Sequence, residues 1–171
     1  MSEASGSGGL THLDSRGAAR MVDVSGKAVT VRTARASGFL RTSPEVVGAL
    51  RGDAVPKGDA LAVARIAGIA AAKRTPDLIP LCHPVAIHAV TVELEVRDVG
   101  VAITATVRTA DRTGVEMEAL TAVAVAGLTL IDMVKAVDPA ATLDSVRCES
   151  KDGGKTGSWR RPDAGLGGEH G

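Results

Sequence analysis

The most constraining feature of this sequence is segment 119–131 (ALTAVAVAGLTLI), which contains no charged residue. Glu116 and Glu118 precede it, where acidic side chains complement the positive end of a helix dipole. The pattern predicts a long helix over 115–136, which ends before Asp138-Pro139. A helix on one face of an open sheet normally shows a polar stripe to water. Because this helix has almost none, we expect it to be buried on a second side as well.

A second predicted helix, over 60–74, has the same character, because residues 60–72 carry a single charge at Arg65. Two arrangements would bury such helices. Another subunit can cover them, or the extra helix can cover the long one within the chain. A core built mostly of Ala and Val gains from further burial at subunit contacts. We therefore favour the first arrangement and expect a homo-oligomer.

Residues 86–109 have the pattern of a β-hairpin. Apolar and polar residues alternate over 86–97, Asp98-Val99-Gly100 supplies a turn, and 101–109 continue as a second strand. The other predicted elements are a strand over 27–36, helices over 44–51 and 60–74, and a strand over about 142–149. This order predicts an α+β fold: a ferredoxin-like split βαβ sandwich with an extra helix and an antiparallel sheet packed by helices.

Length and composition limit the organisation and the classes of function. The Gly-, Ser- and charge-rich ends predict disordered tails over 1–9 and 160–171 around a single domain at 10–159. Lys plus Arg and Asp plus Glu both number 20, which argues against a general polyanion binder. Only two aromatic residues, Phe39 and Trp159, are available for stacking on bases. We therefore expect no nucleic-acid partner.

The compartment follows from what the chain lacks. Two cysteines do not make a disulfide framework. No apolar run reaches the roughly 18 residues of a membrane span, and no signal peptide opens the chain. These features predict a cytoplasmic protein without a membrane partner.

Lysine usage points to candidate chemistry, because only 6 of the 20 basic residues are lysine. Four of them lie in loops of small residues: Lys27, Lys57, Lys151 and Lys155. A lysine can lose its proton when its pKa is lowered, whereas an arginine cannot. These lysines are therefore either acid–base or phosphate-binding groups, or ordinary solvated charges. The Gly-rich run 153–157 is not an NTPase P-loop, because Glu149 stands where that motif needs Gly. Its backbone N–H groups can still bind an oxyanion.

Segment 81–84 (LCHP) places Cys82 beside His83. Adjacent residues on an extended chain point to opposite faces, and no zinc-ligand spacing occurs, so we expect no metal site. His83 is either a donor or acid–base group, or a structural histidine.

Asp132 follows the uncharged run and forms an i,i+3 pair with Lys135 on one helix face. Such a pair can exchange protons with a substrate. Glu118 shares roughly that face, but fourteen residues of helix separate it from Asp132 by about 21 Å. Either the two acids serve different sites, or a site is completed across a subunit contact.

Several motifs together resemble the cyclic pyranopterin monophosphate synthase family, which is the molybdenum cofactor biosynthesis protein C family. The motifs cover about 10–159 in order: MVDVSGK at 21–27, KGD at 57–59, ARIAGIAAAKRT at 64–75, LIPLCHP at 78–84, TGVEMEALTA at 113–122, IDMVKA at 131–136 and SKDGGKTG at 150–157. The resemblance implies a lyase that rearranges 3′,8-cyclo-7,8-dihydroguanosine 5′-triphosphate to cyclic pyranopterin monophosphate and releases pyrophosphate. It also implies a ferredoxin-like fold and a hexamer, a trimer of dimers with sites at subunit contacts.

The resemblance also implies roles for individual residues. Asp132 matches the catalytic aspartate, and Lys57 and Lys135 match the lysines that transfer protons beside it. The substrate-contacting stretches match Leu81, Cys82, His83, Met117 and Glu118, and further polar pocket residues match Glu116, Lys27, Arg32, Arg74 and Lys151. No tightly bound cofactor is implied, although Mg²⁺ bound to the substrate triphosphate is one way to assist the leaving group.

The family pattern leads us to expect basic or His residues before KGD, where this chain has Ala54-Val55-Pro56. This difference bears on closure of the loop rather than on Lys57. A second hypothesis is a non-catalytic ferredoxin-like module that binds nucleotides and regulates a partner. Such a module would keep Arg32 for phosphate but would not need Lys57, Asp132 and Lys135 together, so we favour the enzyme.

Overall fold

A computed structural model of the chain describes residues 10–52 and 59–162. The elements in chain order are β1 (Thr30–Arg41), α1 (Pro44–Arg51), α2 (Ala60–Ala72), α3 (Thr75–Leu78), β2 (Ile87–Arg97), β3 (Gly100–Asp111), α4 (Glu116–Val134), β4 (Thr142–Asp152) and β5 (Trp159–Arg160). The predicted tail over 1–9, residues 163–171 of the predicted tail over 160–171, and residues 53–58, including Lys57, lie outside the described residues.

The strands form one antiparallel sheet in the order β2-β3-β1-β4-β5. Its first four strands have the ferredoxin-like arrangement, because β3 lies between β1 and β2. The helices α2 and α4 pack on one face of this sheet. The predicted α+β fold, with an antiparallel sheet packed by helices, is therefore confirmed.

The helix starts follow from side-chain caps that the sequence suggested. The Ser43 hydroxyl accepts from the Val46 N–H at 3.3 Å, and the Asp59 carboxylate accepts from the Ala62 N–H at 2.9 Å. Both bonds satisfy donors that a helix N-terminus leaves without partners. The predicted α1 bounds, 44–51, are confirmed.

Several predicted boundaries differ from the structure, and the long helix covers Glu116–Val134 rather than 115–136. The first strand covers Thr30–Arg41 rather than 27–36, because its pairing with β3 begins at Thr30 and continues to Arg41. The last strand runs on to Asp152 because its end pairs with β1 and then with β5. The second helix ends at Ala72, and the short α3 follows at Thr75–Leu78.

The core lies between the sheet and the helices and is built mostly of small apolar residues. Ala36, Leu40, Ile103 and Leu130 are fully buried within it. By length and composition α4 would also suit a membrane span, with mean hydropathy 1.7, but 56% of that stretch is buried inside the fold. The helix is therefore the core helix of the domain.

The contact between α2 and α4 depends on a glycine. A side-chain carbon on Gly68 would lie 2.9 Å from the Ala122 carbonyl oxygen and 3.3 Å from the Ala126 side chain. Backbone atoms cannot move aside as a flexible side chain does, so the two helices approach closely only because residue 68 has no side chain.

We predict that Gly68→Ala lowers the free energy of unfolding by about 1–3 kcal/mol, because overpacking against a backbone outweighs the better helix propensity of alanine. Gly48→Ala is the matched control. Gly48 lies in α1 with open space around its α-carbon, so the same change should stabilise by about 0.5–1 kcal/mol. Urea denaturation of both variants at one protein concentration measures the difference. Equal stabilisation by both variants would contradict the close contact.

Candidate active site

A cavity of about 770 Å³ opens at one end of the sheet. Because β1 is antiparallel to both β3 and β4, the start of β1 meets their ends at this edge. The loop before β1, the start of α4 and the segment after β4 complete the walls. The lining residues are Gly26, Lys27, Ala28, Thr30, Arg32, Thr33, Thr113, Gly114, Val115, Glu116, Lys151, Asp152, Gly153, Gly154, Lys155 and Thr156.

An ion pair crosses the cavity wall between α4 and β4. The Lys151 ammonium lies 3.3 Å from Glu116 Oε1, and both side chains are about one-third exposed. Gly114 allows this arrangement, because a side-chain carbon there would collide with the Glu116 carboxylate. The pair holds the Glu116 carboxylate, at the first residue of α4, against the Lys151 ammonium on β4.

Glu118 is the buried acid of the site, with only 3% of its surface exposed. Burial removes water from the carboxylate and, together with the nearby Glu116 carboxylate, raises its pKa to about 7. At neutral pH the Glu118 carboxyl is therefore divided between its acid and its base form. A group of this kind can either donate or accept a proton.

The LCHP segment lies against the same end of α4. Burial raises the pKa of the Cys82 thiol, and the Glu118 carboxylate raises it further, so Cys82 remains a thiol. His83 Nε2 lies 2.6 Å from the Val22 carbonyl oxygen. A carbonyl oxygen only accepts, so Nε2 carries the proton and the ring ties this segment to residues before β1. The interpretation of His83 as a structural histidine therefore has a specific partner, the Val22 carbonyl.

The predicted catalytic pair lies at the opposite end of α4. Lys135 Nζ lies 2.6 Å from Asp132 Oδ1, and both side chains are more than half exposed. Sixteen residues of helix place Asp132 about 24 Å from Glu116 along the axis. The helix therefore separates this pair from the cavity.

The predicted site residues thus fall into two groups. Lys27, Arg32, Glu116 and Lys151 line the cavity. Met117 and Glu118 lie on the first turn of α4. Arg74 precedes α3, which contacts α4, and the segment that follows α3 contains Leu81, Cys82 and His83. Asp132 and Lys135 form the second group, and Lys57 lies outside the described residues.

Lys57 is followed by Asp59, which caps the first turn of α2. The split βαβ topology makes α2 antiparallel to α4, so this cap lies at the Asp132 end of the molecule.

Sequence reasoning missed two threonines of the cavity wall, Thr30 and Thr33, which lie on β1. The Thr30 hydroxyl is buried and has no hydrogen-bond partner among the described residues. Isolated threonines on strands carry no motif, so only the tertiary structure identifies them. Over residues 10–52 and 59–162, no three metal-binding side chains converge on one point.

The raised pKa of Glu118 predicts how the free energy of unfolding depends on pH. The native carboxyl holds its proton more tightly than the unfolded chain does, so the free energy of unfolding falls as pH rises from about 4.5 to about 7. Glu118→Gln removes the charge at similar size. We expect it to raise the free energy of unfolding at pH 8 by up to about 3 kcal/mol, with a much smaller change at pH 5.

Urea denaturation at the two pH values, at fixed protein concentration, measures this effect. Glu93→Gln, at an exposed position on β2, is the control and should change neither value. Loss of stability in Glu118→Gln by the same amount at both pH values would contradict a buried carboxyl with a raised pKa.

Comparison with known proteins identifies the family of this chain. The model of the MoaC family matches residues 21–154. A cyclic pyranopterin monophosphate synthase of Streptomyces coelicolor is 68% identical over 89% of this chain and 89% of its own length. One from Nocardioides is 67% identical over 90% of this chain and 96% of its own. Cyclic pyranopterin monophosphate synthase 2 of Mycobacterium tuberculosis is 59% identical over 94% of this chain and 99% of its own. The chain therefore belongs to the MoaC family.

Proposed function

We propose that this chain is a lyase of molybdenum cofactor biosynthesis that makes cyclic pyranopterin monophosphate. Its substrate is 3′,8-cyclo-7,8-dihydroguanosine 5′-triphosphate, and pyrophosphate is the second product. The observation that carries this proposal is a cavity lined by four cationic side chains and by Glu116, two residues before the buried Glu118, whose pKa is about 7. The cations suit a triphosphate, and Glu118 suits proton transfer on a purine-derived ring.

The charges of the cavity support a polyanionic substrate. Lys27, Arg32, Lys151 and Lys155 face it, while Glu116 is already paired with Lys151. Attack of a ribose-derived hydroxyl on the innermost phosphate expels pyrophosphate, and positive side chains stabilise the charge that develops there. Mg²⁺ would enter with the triphosphate, so we propose no resident metal or other cofactor.

The acid–base steps are assigned to residues at both ends of α4. Ring opening and ring closure require a donor and an acceptor near neutral pH. Glu118 can hydrogen-bond an N–H edge of the guanine-derived ring as a carboxylate, or protonate a ring nitrogen as an acid. Asp132 is the proposed catalytic aspartate, and Lys57 and Lys135 are the proposed proton carriers. Within a single chain, α4 keeps Asp132 and Glu118 too far apart to touch one small ligand.

Packing against a second copy of the chain would bring the start of one α4 helix to the end of another. One side of α4 and its C-cap carries a stripe spaced alternately by four and three residues, in which only Thr121 is buried: Met117, Thr121, Ala124, Leu128, Ile131 and Lys135. Leu128 is 59% exposed, and Ile66 on the neighbouring α2 is 68% exposed. Such apolar exposure is typical of a surface that packs against a partner.

The stripe is symmetric about residue 126. If two copies of α4 pack antiparallel around a two-fold axis there, Met117 of each copy meets Lys135 of the other. The cavity of one subunit then receives Asp132 and Lys135 from its neighbour. We propose a homo-oligomer with such shared sites, a hexamer arranged as a trimer of dimers, in the cytoplasm.

The decisive assay is pyrophosphate release by the purified protein, with identification of the pterin product. The cyclised dihydro-GTP derivative should yield pyrophosphate and cyclic pyranopterin monophosphate, whereas GTP should yield neither. Tight binding of either nucleotide without release would favour a nucleotide-binding regulator instead. No binding and no release would contradict both hypotheses.

In the same assay Asp132→Asn, Lys57→Ala and Lys135→Arg should each lower turnover by about 10²–10⁴-fold, because each removes a proton-transferring group. Lys135→Arg is informative because arginine keeps the charge but does not release its proton at neutral pH. Arg97→Lys, an exchange of cations at an exposed position on β2, is the control and should retain turnover. Near-normal turnover of any of the three variants would refute the role of that residue.

A further inference from the structure

A short segment near the C-terminus, residues 158–161, doubles back onto β4, and we call it the clasp. Its backbone pairs with the end of β4 and extends the sheet by one short strand. The Arg161 N–H then donates to the Glu149 carbonyl oxygen at 2.8 Å. The Gly-rich segment 153–157 is therefore held at both ends, by β4 before it and by the clasp after it.

Arg160 makes most of the side-chain contacts between the clasp and β4. Its Nη2 donates to both oxygens of the Asp152 carboxylate, at 2.9 and 3.0 Å, and its Nη1 donates to the Lys151 carbonyl oxygen at 3.2 Å. Asp152 also accepts from the Ser158 hydroxyl at 2.7 Å. One arginine thus joins the last two residues of β4 to the clasp.

These contacts form a network rather than an isolated pair. A single exposed ion pair contributes little to stability, whereas several connected bonds contribute more. Hydrogen bonds from Ser158 and Arg160 hold the pKa of the Asp152 carboxyl below its usual range, so the carboxylate stays charged at neutral pH. Arg161 adds a bond from its Nε to the Cys148 carbonyl oxygen at 2.8 Å. Side chains therefore fix the clasp in addition to its backbone pairing.

Segment 153–157 depends on how its two ends are held. Gly153 and Gly154 have φ of +92° and +77°, and the Gly157 N–H closes the turn by donating to the Gly154 carbonyl oxygen at 3.2 Å. Glycines leave a backbone free to adopt other conformations, so the turn alone does not fix where the segment lies. Lys155 lines the cavity from the middle of this segment.

We propose that Arg160 is a positioning residue of the active site. By joining Asp152 and the Lys151 carbonyl to the clasp, it holds segment 153–157 as a wall of the cavity with Lys155 toward the substrate. This inference rests on the proposed function.

Arg160 acts only through the segment that it holds. It does not line the cavity, and it borders a separate surface depression together with Arg35 and Ser150. Its loss therefore removes no cation from the cavity and no group that transfers a proton.

Steady-state turnover of the cyclised dihydro-GTP derivative by the full chain tests this role. Arg160→Ala should raise KM by about 10-fold, because the contact of Lys155 with the substrate is lost. The kcat should stay within about twofold, since the groups that carry the chemistry are intact. Arg160→Lys should raise KM less, because lysine keeps the charge but cannot bond both acceptors as the guanidinium does. Arg97→Ala is the matched control, because it breaks an exposed ion pair with Glu95 on β2, and it should change neither constant.

Hydrogen exchange gives a readout that needs no substrate. The N–H groups of Gly157 and Arg161 donate to backbone carbonyls within the segment and on β4. Both amides should exchange faster in Arg160→Ala than in the unmodified protein or in Arg97→Ala, while the amides of β1 and β3 keep their protection. Unchanged exchange at both amides, an unchanged KM of Arg160→Ala, or a lower kcat at unchanged KM would overturn the positioning role.

The two measurements separate this inference from the proposed function. Faster exchange in Arg160→Ala, with no turnover by the unmodified protein, would reject the lyase and leave the clasp standing. Turnover by the unmodified protein, with exchange and KM unchanged in Arg160→Ala, would reject the positioning role and leave the lyase standing.

Discussion

The close contact between α2 and α4 is the constraint on which the rest of the structure depends. Gly68 lets α2 approach the α4 backbone, and the small residues Ala64, Ala119 and Ala126 are buried around it. This packing places α4 along β1, β3 and β4. One consequence is that the first turn of α4 carries Glu116 into the cavity wall, with Glu118 buried two residues further on. The other consequence is that the C-terminal end of α4 carries Asp132 and Lys135 away from the cavity.

The chemistry of the cavity follows from how its charges are compensated. Glu116 and Lys151 neutralise one another, while Lys27, Arg32 and Lys155 have no acidic partner among the residues described. Glu118 is buried beside them and keeps a proton into the neutral range. Free cations in the cavity and a protonatable acid near it serve two tasks, namely anion binding and proton transfer. A nucleotide-derived triphosphate requires both.

Much of the fold was predictable because its signals are local. Alternation over 86–97 predicted β2, and the Ser43 and Asp59 caps predicted where α1 and α2 begin. The start of β1 was predicted too early, because residues 27–29 alternate like a strand but lie before the strand pairing that begins at Thr30. The two residues of β5 pair only through tertiary contact with β4 and had no local signal.

The site was only partly predictable. Motif resemblance named Lys27, Arg32, Glu116 and Lys151, and the structure brings these four together. The rise per residue of an α-helix alone already placed Glu118 and Asp132 too far apart to contact one small ligand. The Thr30 hydroxyl and the packing of Gly154 against Arg32 depend on contacts between distant segments, which no spacing in the sequence encodes.

The central claim is that each active site combines the α4 start of one subunit with the α4 end of another, and mixing two inactive variants tests it most directly. Glu118→Gln damages one half of the site and Asp132→Asn the other. If sites are shared across a two-fold axis, subunit exchange between the two proteins restores one intact site in each mixed pair, or about one quarter of wild-type turnover. If each site lies within one chain, the exchanged mixture stays as inactive as its components, and that result would contradict the account.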